Sequence, residues 1–363
     1  MYRTRAAIWI MLVGAVLSAP LALAILMPQS GAVLDDEMRL GATFPAFPFS
    51  AREWRAFPGK IDSYFRDHFG MRKQFIHIHA LLAHRLLQAG NSLVEIGNDD
   101  WFFLRSDNML QQSAGLVVRE QRVIETAETI AEVRDLLAGK GIRFIFASPP
   151  NSATVYPDML PEWARNSGIR TEYDLMLDAL VRRGVEVVDL RPPLRTARAE
   201  GAIYYQHDTH WSARGAIVGF NSVAAAIGHA DWQLRPSGVL GLAIKRVGGD
   251  LARMLDIADD VSEWTEPLQL APNSSDVSYR PSVLAIGDSF TAGFAPLLLA
   301  NSARFTWIHH DFCGFDWRRI EQIHPDEVWW MPTERYLLCN SSKPKNLPTG
   351  NKPANSPLVI GAN

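Results

Sequence analysis

The sequence predicts an α/β fold, a mostly parallel β-sheet flanked by helices, preceded by an N-terminal transmembrane helix. Three observations predict it. Short runs such as "IRFIF", "SVLAIG" and "EVWWM" are apolar almost throughout and alternate with stretches of helical periodicity, the pattern of parallel strands buried on both faces. The chain has 363 residues, 47% apolar and 21% charged, enough for one substantial core. Ahead of that core, Arg3 and Arg5 precede an uncharged run from Ala6 to Met27, which as a helix would span about 33 Å, the thickness of a bilayer core.

Residues 1–30 are therefore read as a membrane anchor, and the two arginines favour a cytoplasmic N-terminus with the body in the periplasm of a bacterial inner membrane. A cleaved signal peptide is the rival reading, because "LALA" offers small residues to a signal peptidase; Ile25, Leu26 and Met27 prolong the apolar run beyond it and favour retention. Residues 31–340 are read as the folded domain, and residues 341–363, rich in Pro, Asn, Ser and Lys, as a disordered tail. From Gly31 to Lys60 the Pro and aromatic content predicts an extended segment docked on the core. Between Gln74 and Ala89, Phe75, Ile78, Leu82 and Leu86 recur at helical spacing. "SLVEIG" and "WFFL", separated by "NDD", read as a hairpin, and Glu120 to Ala138 as a long helix closed by Gly139 and Gly141. Then come strands at "IRFIFASPP", "VEVVDL", "PSVLAIGDS", "RFTWIHH" and "DEVWWMP". The intervening helices are Thr171 to Arg183, Ser212 to Ile227, one near Phe294 to Ala300 and one near Trp317 to Ile323. Ligands of such sheets sit beyond the carboxyl ends of the strands.

A net charge of −3 and a pI near 6.4 give no electrostatic case for nucleic acid. Cys313 and Cys339 are the two cysteines; a disulfide in an oxidising compartment and a pair of buried thiols both fit, and no zinc spacing or CxxC is present. No cofactor and no metal is expected. The alternative of a metal held by His207, Asp208 and His210 lacks a further ligand at clear spacing.

The chemistry concentrates in two stretches. "VLAIGDSFTAGF" sets Ser289 just past a buried strand and ahead of a helix, with Gly287 permitting a tight backbone approach and Gly293 close packing behind. Backbone N–H groups there are placed to hold an oxyanion, but a serine hydroxyl is a weak nucleophile without a base. "YYQHDTHWS" supplies one: His210 as base and Asp208, two residues earlier, as the acid that orients it. Asn151 in "SPPNS" and Arg335 in "ERYL" are further candidate oxyanion or substrate-binding groups, and Tyr205 and Trp211, with Tyr204 and Trp317, are candidate flat surfaces for sugar rings.

Together, "YFRDHFGMR", "IGNDDWFFL", "SPPNSATVYPDMLP", "YYQHDTHWSARG", "GDLARML", "IGDSF" and "ERYL" resemble the alginate O-acetyltransferase family, the AlgJ and AlgX group of SGNH hydrolase-like periplasmic proteins, from about Phe57 to Leu338. In other SGNH hydrolases the acid and base follow the serine; here, as in this group, they precede it. The resemblance implies Ser289 as nucleophile, His210 as base and Asp208 as acid. It also implies a polysaccharide acceptor, an acetyl group supplied by a membrane-bound O-acyltransferase, and association with other exopolysaccharide synthesis and secretion proteins. The anchor, and the lack of a C-terminal carbohydrate-binding module, bring the chain closer to the AlgJ type. Ser152 stands where many members have lysine, and Asp100 where glycine usually precedes the tryptophan. A polysaccharide acetylesterase using the same three residues and a non-catalytic polysaccharide-binding scaffold are the competing readings.

Overall fold

The computed structural model describes residues 41–68, 72–165, 168–270, 277–314 and 317–339, with a few single positions ahead of residue 41. Most of the expected anchor and all of the tail 341–363 lie outside the described residues. Among those described, no helix is long and apolar enough to cross a membrane. The chain divides into two compact units, one of Met1–Asn91 with Ala252–Val261, the other of Ser92–Leu251 with Ser262–Asn363.

The first unit contains helices α1 (Ala51–Asp67) and α2 (Arg72–Leu87). The sequence reading of Gly31 to Lys60 as extended is corrected here, because the helix starts at Ala51 and runs through Pro58. A reciprocal capping box opens it: Ser50 Oγ accepts from the Glu53 N–H at 3.3 Å, and the Glu53 carboxylate accepts from the Ser50 N–H at 2.9 Å. Trp54, Phe57, Ile61, Tyr64 and Phe65 fall on one face of that helix. The irregular stretch before Ser50 lays Phe44 edge-on to Tyr64 and Phe47 edge-on to Trp54, so the docking expected of this segment is onto α1.

The second unit opens with the hairpin β1 (Val94–Ile96) and β2 (Phe102–Leu104), whose turn holds Asp99 and Asp100 at φ 51° and 62°. Asp100 thus takes the left-handed conformation for which glycine is better suited. Then follow α3 (Glu120–Ala138), β3 (Arg143–Phe146), α4 (Glu172–Arg182), β4 (Glu186–Val187) and α5 (Ala213–Ala226). An antiparallel pair, β5 (Ile244–Val247) and β6 (Ser262–Thr265), precedes β7 (Val283–Gly287), α6 (Ala295–Asn301), β8 (Phe305–His309), α7 (Trp317–Ile323) and β9 (Glu327–Met331).

Five of these strands form one parallel sheet in the order β8-β7-β9-β3-β4. Alternate residues face opposite sides. Leu284, Ile286, Val328, Trp330, Phe144 and Phe146 join the core beneath α3, α4 and α7. Ala285, Trp329, Met331 and Ile145 join the core beneath α5 and α6, with Phe220, Phe294 and Leu297. Burial on both faces is why the central strands β3, β7 and β9 read as nearly unbroken apolar runs. The register sets Gly287 level with Met331 on one side and His309 on the other, so the loops after β7, β9 and β8 leave the sheet side by side. That edge carries the site.

Candidate active site

Where β7 ends, Gly287 has no room for a side chain: a Cβ there would lie 2.8 Å from Met331 O and 2.3 Å from Thr291 Cγ2. The chain then turns into a single 3₁₀ segment, Ser289–Gly293. Asp288 caps it, accepting from the Phe290 N–H at 3.0 Å while also accepting from the Thr333 N–H and hydroxyl at 2.9 and 2.8 Å. This pins the loop after β7 to the loop after β9. Phe290 is buried and Ser289 exposed, so the turn presents a hydroxyl to solvent on a rigid base. The Ser289 backbone N–H makes no hydrogen bond among the described residues and is available to an oxyanion.

The imidazole comes from a tight loop. Tyr204 and Trp211 form an antiparallel bridge, the Tyr205 N–H donates to His210 O at 3.1 Å, and the Ser212 N–H donates to Ile203 O at 2.9 Å. Ser212 Oγ then caps α5 by accepting from the Gly215 N–H at 3.2 Å. Gln206 to Thr209 make the turn, and its far limb delivers His210. Ser289 Oγ lies 2.8 Å from His210 Nε2, and Asp208 Oδ1 lies 2.7 Å from His210 Nδ1. A carboxylate only accepts, so Nδ1 carries the proton and Nε2 is left to accept from the serine hydroxyl. Exposure rises along the relay, from 6% for the Asp208 side chain to 32% for that of His210 and then to exposed Ser289, which keeps the carboxylate dry and the hydroxyl reachable.

Both Asp208 oxygens are fully used. Oδ1 also accepts from the His210 N–H at 3.0 Å, and Oδ2 accepts from Arg246 Nη2 at 2.6 Å and the Asp250 N–H at 3.1 Å. Burial works to raise the pKa of this carboxyl, but the hydrogen bonds from His210 and Arg246 outweigh it and hold the acid well below the usual carboxylate range. Arg246 sits on β5, stacks over the Tyr205 ring with its guanidinium carbon 4.1 Å from the centroid, and shares itself with Glu263 of β6 at 3.0 Å. Asp250 holds the neighbouring residue of the relay: its carboxylate accepts from the Thr209 N–H at 2.7 Å and the Thr209 hydroxyl at 2.5 Å. Burial and the charge of Asp208 push the Asp250 carboxyl upward in pKa.

Reading the sequence missed Asp250 and Arg246. The available signal was the glycine pair in "VGGDLARML". Gly248 takes φ 75°, and a Cβ on Gly249 would lie 2.0 Å from His207 O and 3.2 Å from Asp208 Cβ, so this turn is built to press against the relay loop.

Other candidates fall elsewhere. The expected sugar platforms are corrected: Tyr204, Trp211 and Trp317 are buried, and Trp211 stacks on Phe294 within 3° of parallel at 5.0 Å, so none offers a face to a ligand. Tyr205 is half-buried beneath Arg246. Asn151 follows β3 and is buried, with neither side-chain amide atom hydrogen-bonded among the described residues; its N–H donates to Glu334 at 2.7 Å. Arg335 follows β9 and stacks on the Phe290 ring at 5.2 Å, its Nε without a hydrogen-bond partner among the described residues. His210 packs near that same ring at 5.1 Å, which makes Phe290 the wedge between imidazole and arginine. His207 does not join a ligand set; it is buried beside Phe102, 4.6 Å between ring centroids. Asp208, His210 and Asp250 have potential ligand atoms within 4.8 Å of one another, and these groups are engaged by Ser289, Thr209 and Arg246.

The family model described as the SGNH hydrolase-like domain of acetyltransferase AlgX matches residues 94–304, more than half of the chain. A probable alginate O-acetylase AlgJ of Azotobacter vinelandii is 27% identical over 180 residues, 50% of this chain and 43% of that protein. Its namesake in Pseudomonas putida is 28% identical over 167 residues, 46% of this chain and 42% of that protein. The matched stretch thus spans less than half the length of either relative. Among solved structures, the O-acetyltransferase domain of Pseudomonas putida AlgJ superposes at 21% identity over 67% of this chain and 91% of that domain, with a TM-score of 0.47.

Proposed function

From the premise that this chain belongs to the AlgX family of SGNH hydrolase-like acetyltransferases, we propose that it is a serine O-acetyltransferase that moves acetyl groups onto the hydroxyls of an exopolysaccharide such as alginate. The observation that carries this reading is the continuous relay from Ser289 Oγ through His210 to Asp208, at 2.8 and 2.7 Å. His210 Nε2 takes the Ser289 proton as Oγ bonds to the acetyl carbonyl carbon. The tetrahedral oxyanion is held by the Ser289 N–H, with Asn151 and Arg335 as further candidate donors. The bond to the donor's leaving group breaks, and that group departs with the proton from His210. A sugar hydroxyl then gives its proton to His210 and attacks the acetyl carbon, and Ser289 leaves with that proton.

The body of the protein works in the periplasm, tethered by residues 1–30, and receives acetyl from a membrane-bound O-acyltransferase in concert with other exopolysaccharide export proteins. Two features support the compartment: the arginine-flanked uncharged run from Ala6 to Met27, and the disulfide between Cys313 and Cys339, which favours an oxidising environment.

The test is product analysis. Protein incubated with an acetyl donor and oligomannuronate should yield acetylated sugar, and Ser289→Ala should lower that rate by three or more orders of magnitude. Free acetate as the sole product would assign an esterase. A polymer acetylated equally well by the alanine variant would leave only a scaffold.

A further inference from the structure

We propose that Asp250 is a positioning residue for His210: it clamps Thr209 and supplies the negative charge that stabilises the His210 imidazolium when the Ser289 proton arrives. The inference rests on the acyl-transfer reading of the relay and adds a fourth member to it.

The argument begins with charge. The Asp208 carboxylate is shared between His210 and Arg246, whose guanidinium is 2.6 Å from Oδ2, so part of its field is spent on a permanent cation. Arg246 is itself divided between Asp208 and Glu263. Asp250 stands differently. Among the described residues it forms no ion pair with a lysine or arginine, and the one cationic partner within reach is His210, Nδ1 to Oδ2 at 3.6 Å. Its side chain is 22% exposed, so the interaction is only partly screened by solvent. A partly buried carboxylate without a permanent counter-ion is costly in the resting protein, and the cost falls when a proton reaches His210. That differential is what accelerates a step through an imidazolium.

Geometry adds a second role. Thr209 lies between Asp208 and His210, and both its N–H and its hydroxyl donate to Asp250. The Thr209 hydroxyl is 3.3 Å from His210 Nδ1, and with that hydroxyl turned to Asp250 it does not compete as a donor for the position facing Asp208. The groups facing His210 are thus Asp208 on its own loop, Asp250 from the "GGD" turn, and Ser289 and the Phe290 ring from the β7 loop, with Arg246 and Glu263 behind Asp208.

Asp250→Asn keeps an acceptor of the same size for Thr209 and removes the charge. In the transfer assay kcat should fall about 10- to 100-fold with KM within about twofold, and the acid limb of the kcat/KM profile should move to lower pH. Asp250→Glu should restore part of the rate and return the limb toward its original position. The second measurement needs no acceptor: labelling of Ser289 by a sulfonyl fluoride, followed by mass spectrometry across pH, should slow and shift in the same direction. Asn and wild-type proteins with rates within twofold and superimposable profiles would overturn the proposal. So would a slowed Asn variant whose profile does not move, since that is the signature of a merely structural loss. Ser289 labelling that follows Asp250 while no acetyl transfer is found would sustain the role of Asp250 and instead refute the transferase reading.

Discussion

His310 lies just outside the relay and ties the stability of the Asp288 loop to pH. It leaves β8 next to the Asp288 loop, is only 2% exposed, and holds Nε2 3.9 Å from Asp288 Oδ2. Burial pushes its pKa down to about 4, Asp288 opposing only in part. The folded protein therefore keeps this ring neutral where the unfolded chain would protonate it. Stability is fully present above the unfolded value of about 6.5 and is lost as pH falls toward 4, by up to ~3 kcal/mol. Asp250 and Glu334, raised by burial, act in the opposite sense, so the informative quantity is a difference between proteins. Thermal unfolding of wild type and His310→Gln from pH 7 to pH 4 should show the smaller loss in the variant; parallel curves would refute the assignment. At this scale the sequence was most legible where chemistry is local. Asp208 and His210 lie two residues apart, and Ser289 sits at a strand end marked by Gly287. Asp250 and Arg246 were not legible, because their contacts to Asp208 cross 42 and 38 positions and are made only by the folded turn and hairpin.

Elements were legible where the hydrophobic period and the cap agreed. Helix α5 was expected from Ser212 to Ile227, and those residues are its caps. Helix α4 was expected from Thr171 to Arg183, and Thr171 closes a capping box with Asp174. Helix α1 was not legible because the Pro and aromatic content of Gly31 to Lys60 pointed to an extended chain, whereas its start is marked by Ser50 and Glu53, which close a capping box ahead of Pro58. The same logic gives a prediction at Ser212, which does two jobs: it caps α5 and donates to Ala202 O at 2.6 Å, closing the base of the relay loop. Ser212→Ala should cost about 1–2 kcal/mol of stability. Since the Tyr204–Trp211 bridge and the core packing of Trp211 remain, turnover at 25 °C should change less than fivefold. A melting temperature equal to wild type would show that the cap contributes nothing.

For the whole molecule, the parallel sheet explains the arrangement: adjacent strands deliver Ser289, Arg335 and Asn151 from one edge, while Asp208 and His210 arrive on a separate loop buttressed by β5 and β6. The edge needs anchoring beyond the last strand, and the disulfide supplies it. Cys313 follows β8 and Cys339 lies past Arg335, 26 positions away, so the bond closes a loop containing α7, β9 and the segment that pins Asp288. Cys339 is held further by its N–H to Thr126 Oγ1 at 3.1 Å and by Arg122, which donates to its carbonyl at 2.6 Å. A closed loop of this length restricts the unfolded chain by about 3 kcal/mol. Reduction, or the double substitution of Cys313 and Cys339 by serine, should therefore lower the melting temperature by several degrees. The packing of β7 and the Asp288 bonds to Thr333 are made by groups other than the two cysteines, so sulfonyl labelling of Ser289 at 25 °C should stay within about twofold of wild type. Equal melting of oxidised and reduced protein would remove the bond from the account of stability, and loss of labelling on reduction would make it part of the site.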